Sequence, residues 1–71
     1  MEQINLEDLK MEIIQAKLGM TNEKFAEFAE MSTNTLARKL KDPGSWKLNE
    51  LNTIASKLDL SIGELLEKMK V

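Results

Sequence analysis

Three polar residues in one short stretch, Thr33, Asn34 and Arg38, carry the clearest hydrogen-bonding chemistry in this sequence. Asn34 and Arg38 are four residues apart, so a helix through them presents both side chains on one face. An amide offers donors beside an acceptor, a guanidinium offers a fork of donors, and Thr33 adds a hydroxyl and a methyl group. We therefore interpret the stretch as a candidate binding face rather than a catalytic site.

Chemistry that breaks bonds has few residues to draw on in this chain. The sequence has no His and no Cys, which excludes disulfides, thiol nucleophiles, imidazole acid–base schemes and the common zinc sites. Glu23, Glu27 and Glu30 share one helix face, but without a second acidic cluster they indicate an exposed face rather than a metal site. We predict that the protein is not an enzyme and uses no cofactor, metal or small-molecule substrate.

Length and composition allow one small domain, over residues 1–71. The chain is 42% hydrophobic and 31% charged, with a net charge of -2 that argues weakly against a nucleic-acid partner. No apolar stretch approaches the roughly 18 residues of a membrane span. Residues 1–10 carry acids where a signal peptide would carry bases. We expect a cytoplasmic protein with no membrane partner.

The elements that would position the polar face are all predicted to be helices, since strand signals are nearly absent. A first helix is expected from Leu6 to Leu18, with Asn5 as its N-cap and Gly19 as its stop. Its predicted apolar stripe consists of Leu6, Leu9, Ile13 and Ala16, and is widened by Ile14 and Leu18. This helix leads directly to the segment that holds the polar face.

Two short helices should follow, capped by Thr21 and Ser32. The second of them must end by about Lys41, because Asp42 and Pro43 begin a turn. A fourth helix is predicted over 48–57 from the apolar residues Leu48, Leu51, Ile54, Ala55 and Leu58. Its cap position holds Lys47, and Trp46 before it is interpreted as a core anchor.

A fifth helix is expected to begin at a capping box formed by Ser61 and Glu64. Its buried stripe is predicted to be Ile62, Leu65, Leu66 and Met69. Five short helices with connections of two to six residues predict one compact all-α domain.

The connection between the second and third helices, Glu30-Met31-Ser32, is tight enough to make the helices cross steeply. With these residues in place, Asn22 to Leu40 resembles the helix-turn-helix of the phage lambda-repressor and Cro-like family, and the motif covers about 21–41. The family's small, apolar and capping positions are matched by Ala26, Met31, Leu36 and Ser32. The resemblance extends over about 6–66 and implies a five-helix lambda-repressor-like fold.

Two positions depart from the family's pattern. Members usually have Gly in the turn, where left-handed backbone angles are needed, and here the residue is Glu30. Such angles would cost this side chain roughly 1 kcal/mol or more. Lys47 stands where the family has a capping hydroxyl.

The resemblance implies a sequence-specific DNA-binding transcriptional regulator of phage or mobile-element type, a repressor related to Cro, with double-stranded DNA as its partner. The helix over about 33–41 would enter the major groove, where Asn pairs with adenine and Arg with guanine. The implied base contacts are Thr33, Asn34 and Arg38. The implied phosphate contacts are Asn22, Ser32, Lys39, Lys41 and Lys47.

The distribution of charge supports this interpretation better than its total does. Residues 32–47 contain four of the ten cations and one of the twelve acids, a local balance of +3, and the remainder of the chain carries -5. The sequence therefore predicts a basic edge on an acidic body.

Two further hypotheses concern partners. A weak homodimer could form through helix five and the C-terminus, where Ile62, Leu66, Met69 and Val71 exceed what the core needs. The alternative to DNA binding is a helix-turn-helix scaffold that binds protein, as an antitoxin, antirepressor or accessory module. In that case the acidic surface would dock a basic partner.

Overall fold

The computed structural model describes residues 9–69, and within that range it contains five α-helices and no strand. The helices are α1 (Met11–Leu18), α2 (Asn22–Phe28), α3 (Thr33–Lys41), α4 (Leu48–Lys57) and α5 (Ile62–Lys68), with a 3-10 helix (Pro43–Ser45) between α3 and α4. The all-α, five-helix prediction is confirmed. None of these helices is long and apolar enough to cross a membrane.

Local capping explains where two of the helices begin. Thr21 Oγ1 accepts a hydrogen bond from the backbone N–H of Lys24 at 3.2 Å, which caps α2. Ser61 Oγ accepts from the N–H of Glu64 at 3.1 Å, and Glu64 Oε1 accepts from the N–H of Ser61 at 2.9 Å. Hydrogen bonding to Ser61, above all from its backbone N–H, lowers the pKa of the Glu64 carboxyl. Both predicted caps are confirmed.

The first helix differs from its prediction. It begins at Met11, later than expected, while Asn5 and Leu6 lie outside the described residues. Leu9 is buried but precedes the helix, and Ala16 is exposed. Ile14 and Leu18, which widen the predicted stripe, do reach the core, and Met11 joins them.

The core gathers side chains from all five helices and from the loop before α4. Its buried members are Leu9, Met11, Ile14, Phe25, Ala26, Ala29, Leu36, Trp46, Leu51, Ile54, Ala55, Leu65 and Met69. Trp46 is an anchor, as predicted. Leu48 is 55% exposed, contrary to the predicted stripe, whereas Trp46, two residues earlier, is buried.

Three of the helices end on a residue with left-handed backbone angles, namely Gly19 (φ 67°), Glu30 (φ 61°) and Asp59 (φ 59°). At the end of α2, the N–H of Met31 donates to the carbonyl of Ala26 at 2.9 Å, and the other two ends repeat this pattern. The turn between α2 and α3 therefore forms with Glu30 in a left-handed conformation, at the position where the family that the motif resembles usually has Gly.

Candidate nucleic-acid interface

Helix α3 has one face in the core and one face in solvent. Leu36 and Lys39 are buried, whereas Thr33, Asn34 and Arg38 are exposed. The three predicted base-contacting residues therefore lie together on the free side of α3. Their side chains form no hydrogen bond or ion pair with any other residue in 9–69.

The N-terminus of α3 is fixed by Ser32. Its Oγ accepts a hydrogen bond from the N–H of Thr35 at 3.1 Å and donates one to Thr35 Oγ1 at 2.8 Å. The predicted cap is confirmed. The single hydroxyl proton of Ser32 is already in use, so a phosphate contact from Ser32 requires this proton to turn away from Thr35.

Lys39 does not lie where its predicted phosphate contact requires. The side chain is only 10% exposed, and Nζ is 2.8 Å from the carbonyl oxygen of Ser45 and 2.9 Å from Glu50 Oε1. It also lies 5.7 Å from the centroid of the Trp46 ring. Lys39 lies three residues after the buried Leu36 and faces the interior, so its ammonium is paired with Glu50 within the protein. The Lys39 ammonium is thus already paired inside the protein, contrary to the exposed position that the predicted phosphate contact requires.

The carboxylate that holds Lys39 also organises the start of α4. Glu50 Oε1 accepts a hydrogen bond from the backbone N–H of Lys47 at 2.8 Å. A capping box needs two hydrogen bonds, one accepted by the N-cap side chain and one accepted by the side chain three residues later. The ammonium of Lys47 cannot accept a hydrogen bond, so only the bond accepted by Glu50 forms. Lys47 itself stays exposed at the N-cap.

Asn22 is exposed at the first position of α2. Its Oδ1 accepts a hydrogen bond of 2.7 Å from Gln15 Nε2, which comes from α1. Gln15 could not be selected from the sequence, because an uncharged side chain seven residues from Asn22 follows no recognisable pattern. The same is true of Glu50, whose role depends on the packing of α3 against the loop before α4.

The exposed cations of the segment 32–47 are Arg38, Lys41 and Lys47, and none forms an ion pair within the described part of the chain. The Lys39 charge is offset by Glu50. Three free cations therefore face one acid, Asp42, in this segment. The basic edge persists, with one charge fewer than the sequence predicted.

The predicted dimer surface on α5 is smaller than expected. Met69 is buried in the core, and Ile62 and Leu66 are partly buried against it. Val71 lies outside the described residues. Helix α5 thus uses most of its apolar stripe within its own domain.

Comparison with known proteins gives one match. A family described as the Cro/C1-type HTH DNA-binding domain matches residues 10–70, a range that includes all five helices. Neither the curated proteins nor the solved structures include a significant match to the chain.

Proposed function

This chain belongs to the Cro/C1-type HTH DNA-binding domain family, and on that premise we propose that it is a sequence-specific transcriptional regulator that reads duplex DNA with α3. The free face of α3 is the observation that carries the proposal. Thr33, Asn34 and Arg38 point away from a helix whose opposite face is buried, and their donors and acceptors are unused among the described residues.

The chemistry of these three side chains suits the major groove. Asn34 can pair with the N6 and N7 edge of adenine, and Arg38 with O6 and N7 of guanine. Thr33 can contact a base with its hydroxyl or its methyl group. Because Asn34 and Arg38 lie one turn apart on α3, they would address neighbouring base pairs.

Phosphate contacts would flank this helix. Asn22, Lys41 and Lys47 are exposed at the start of α2, the end of α3 and the start of α4. Ser32 joins them if its hydroxyl turns from Thr35 to a phosphate. For each phosphate neutralised, the logarithm of the binding constant should fall by about 0.9 for each tenfold rise in salt. Since only two lysines contact phosphates in this arrangement, the total salt dependence should be small.

We further propose that the regulator is a repressor of phage or mobile-element type, as the resemblance to the lambda-repressor and Cro-like family implies. A domain seated on an operator that overlaps a promoter would exclude polymerase, which gives repression through occupancy alone. A promoter-reporter assay with the selected operator tests this step, and increased transcription would contradict it.

The DNA-binding proposal is tested by selecting bound sites from a random duplex pool and measuring affinity by fluorescence anisotropy. Arg38→Ala should reduce the preference for the selected site over random duplex by about 1–3 kcal/mol. Lys41→Ala should instead weaken binding to both duplexes equally and lower the salt slope by about one.

Lys17→Ala is the matched control, because it removes the same charge from an exposed residue of α1 whose ammonium lies 3.1 Å from the Lys68 carbonyl. It should leave both quantities nearly unchanged. If wild-type protein at low salt gives no NMR amide shifts with duplex, or shifts only outside 33–47, DNA binding through α3 is wrong. If a basic protein then shifts the NMR amide resonances of the acidic surface, the alternative hypothesis of a scaffold that binds protein is supported.

A further inference from the structure

Gln15 holds two acceptors with one amide group. Its Nε2 lies 3.2 Å from the backbone carbonyl oxygen of Met20 and 2.7 Å from Oδ1 of Asn22. The amide thus connects α1, the loop after it and the first residue of α2. Both of its N–H donors are in use.

This arrangement determines which way the Asn22 amide points. The carbonyl of Met20 can only accept, so the Gln15 atom beside it must be the NH₂ nitrogen. That nitrogen can only donate, so the Asn22 atom beside it must be the oxygen. The NH₂ group of Asn22 is therefore on the branch directed away from Gln15, and it has no hydrogen-bond partner within residues 9–69.

We propose that Gln15 is a positioning residue for DNA binding, which fixes the Asn22 amide as a donor to a phosphate oxygen. The inference rests on the proposed function. Without Gln15, the Asn22 amide can rotate to present either its nitrogen or its oxygen, and an outward oxygen repels the phosphate. Gln15 itself makes no contact with DNA in this arrangement.

Gln15→Met is the direct test, because it keeps the length of the side chain and removes both donors. Duplex affinity should fall by about threefold to tenfold, since part of one charge-assisted hydrogen bond is lost. In NMR spectra of the free protein, the side-chain NH₂ resonances of Asn22 should shift in this variant. Thermal unfolding checks that the variant is folded.

Testing Gln15→Met in two other variants separates a positioning role from a general structural role. In Asn22→Ala protein, Gln15→Met should cause no further loss of affinity. In Arg38→Ala protein, which keeps Asn22, the full loss should remain. A loss that persists without Asn22 would mean that Gln15 acts through something else, and the inference would be wrong.

A second variant keeps the test valid if Gln15→Met does not fold. Asn22→Asp preserves the acceptor for Gln15 but has no outward donor, so it should weaken duplex binding at least as much as Asn22→Ala. Asn52→Asp, at an exposed position of α4, controls for the added charge. Wild-type affinity for Asn22→Asp would overturn the inference.

The outcomes distinguish this inference from the proposed function. If wild-type protein binds duplex and Gln15→Met binds equally well, the positioning role is wrong and DNA binding stands. If wild-type protein does not bind duplex at all, the proposed function fails, and the positioning role fails with it.

Discussion

Two lysines of this protein have the same three kinds of partner but lie at different depths. Each places its ammonium against a carboxylate, a backbone carbonyl oxygen and an aromatic ring. The Lys39 cluster consists of Lys39, Glu50, Ser45 and Trp46. The Lys57 cluster consists of Lys57, Glu30 and Phe28, which supplies both the carbonyl and the ring.

The distances in the two clusters are nearly equal. The ammonium–carboxylate distance is 2.9 Å for Lys39 and 3.1 Å for Lys57, and the ammonium–carbonyl distances are 2.8 and 2.7 Å. Exposure separates them. The side chains of the Lys39–Glu50 pair are 10% and 20% exposed, and those of the Lys57–Glu30 pair are 36% and 65% exposed.

The kinds of partner around a lysine therefore do not determine how much its ion pair contributes to the free energy of unfolding; the exposure of the pair matters as well. Near the surface, water and salt screen both charges, and such pairs contribute about 0–1 kcal/mol. In the interior, removing one charge leaves the other poorly solvated and without its countercharge, which costs several times more. The Lys39 cluster should therefore be structural, and the Lys57 cluster marginal.

The largest effect is expected from Lys39→Ala. It leaves Glu50 partly buried and empties the space beside Trp46, so we expect the free energy of unfolding to fall by about 3 kcal/mol. Small domains have only about 0.05–0.15 kcal/mol of stability per residue, so this loss should be conspicuous in urea denaturation. The change should hardly depend on salt.

A double variant is the control for this prediction. Lys39→Met with Glu50→Leu removes both charges and should recover much of the loss, although the N–H of Lys47 then loses its acceptor. A loss below 1 kcal/mol for Lys39→Ala would place the cluster with ordinary surface pairs and remove the contrast with Lys57.

The same contrast explains what could be predicted from the sequence. The caps at Thr21, Ser32 and Ser61 depend on partners three residues away, so local pattern is sufficient to find them. The exposure of Thr33, Asn34 and Arg38 could be predicted as well, because these residues alternate with the buried positions of a single helix.

The errors arose where long-range packing decides. Lysines are usually exposed, which favours a surface position for Lys39, yet a lysine stem can be buried when the fold brings a carboxylate to its end. The spacing of Leu48 predicts a core position, yet the residue is exposed at the first position of α4. The partnership of Gln15 with Asn22 depends on how the loop between α1 and α2 closes.

An intermediate effect is expected from Glu30→Gly. Glycine removes the strain of left-handed angles at this position, worth roughly 1 kcal/mol, but it also removes the carboxylate of the Lys57 cluster. If that exposed pair contributes less than the strain costs, the variant should be more stable than wild type by about 0.5 kcal/mol. Chemical denaturation measures the difference, and a clear loss of stability would show that the exposed pair outweighs the strain.

The smallest effect is expected from Lys57→Ala, which should lower the free energy of unfolding by about 0.5 kcal/mol at low salt and by less at 0.5 M salt. A thermodynamic cycle with Glu30→Gly isolates the ion pair. In the Lys57→Ala background no pair remains to be lost, so Glu30→Gly should stabilise by the full relief of strain. The difference between the two backgrounds is the worth of the pair, and it should shrink as salt is added. If that difference is large and insensitive to salt, the Lys57 cluster behaves like a buried one, and exposure is not what separates the two lysines.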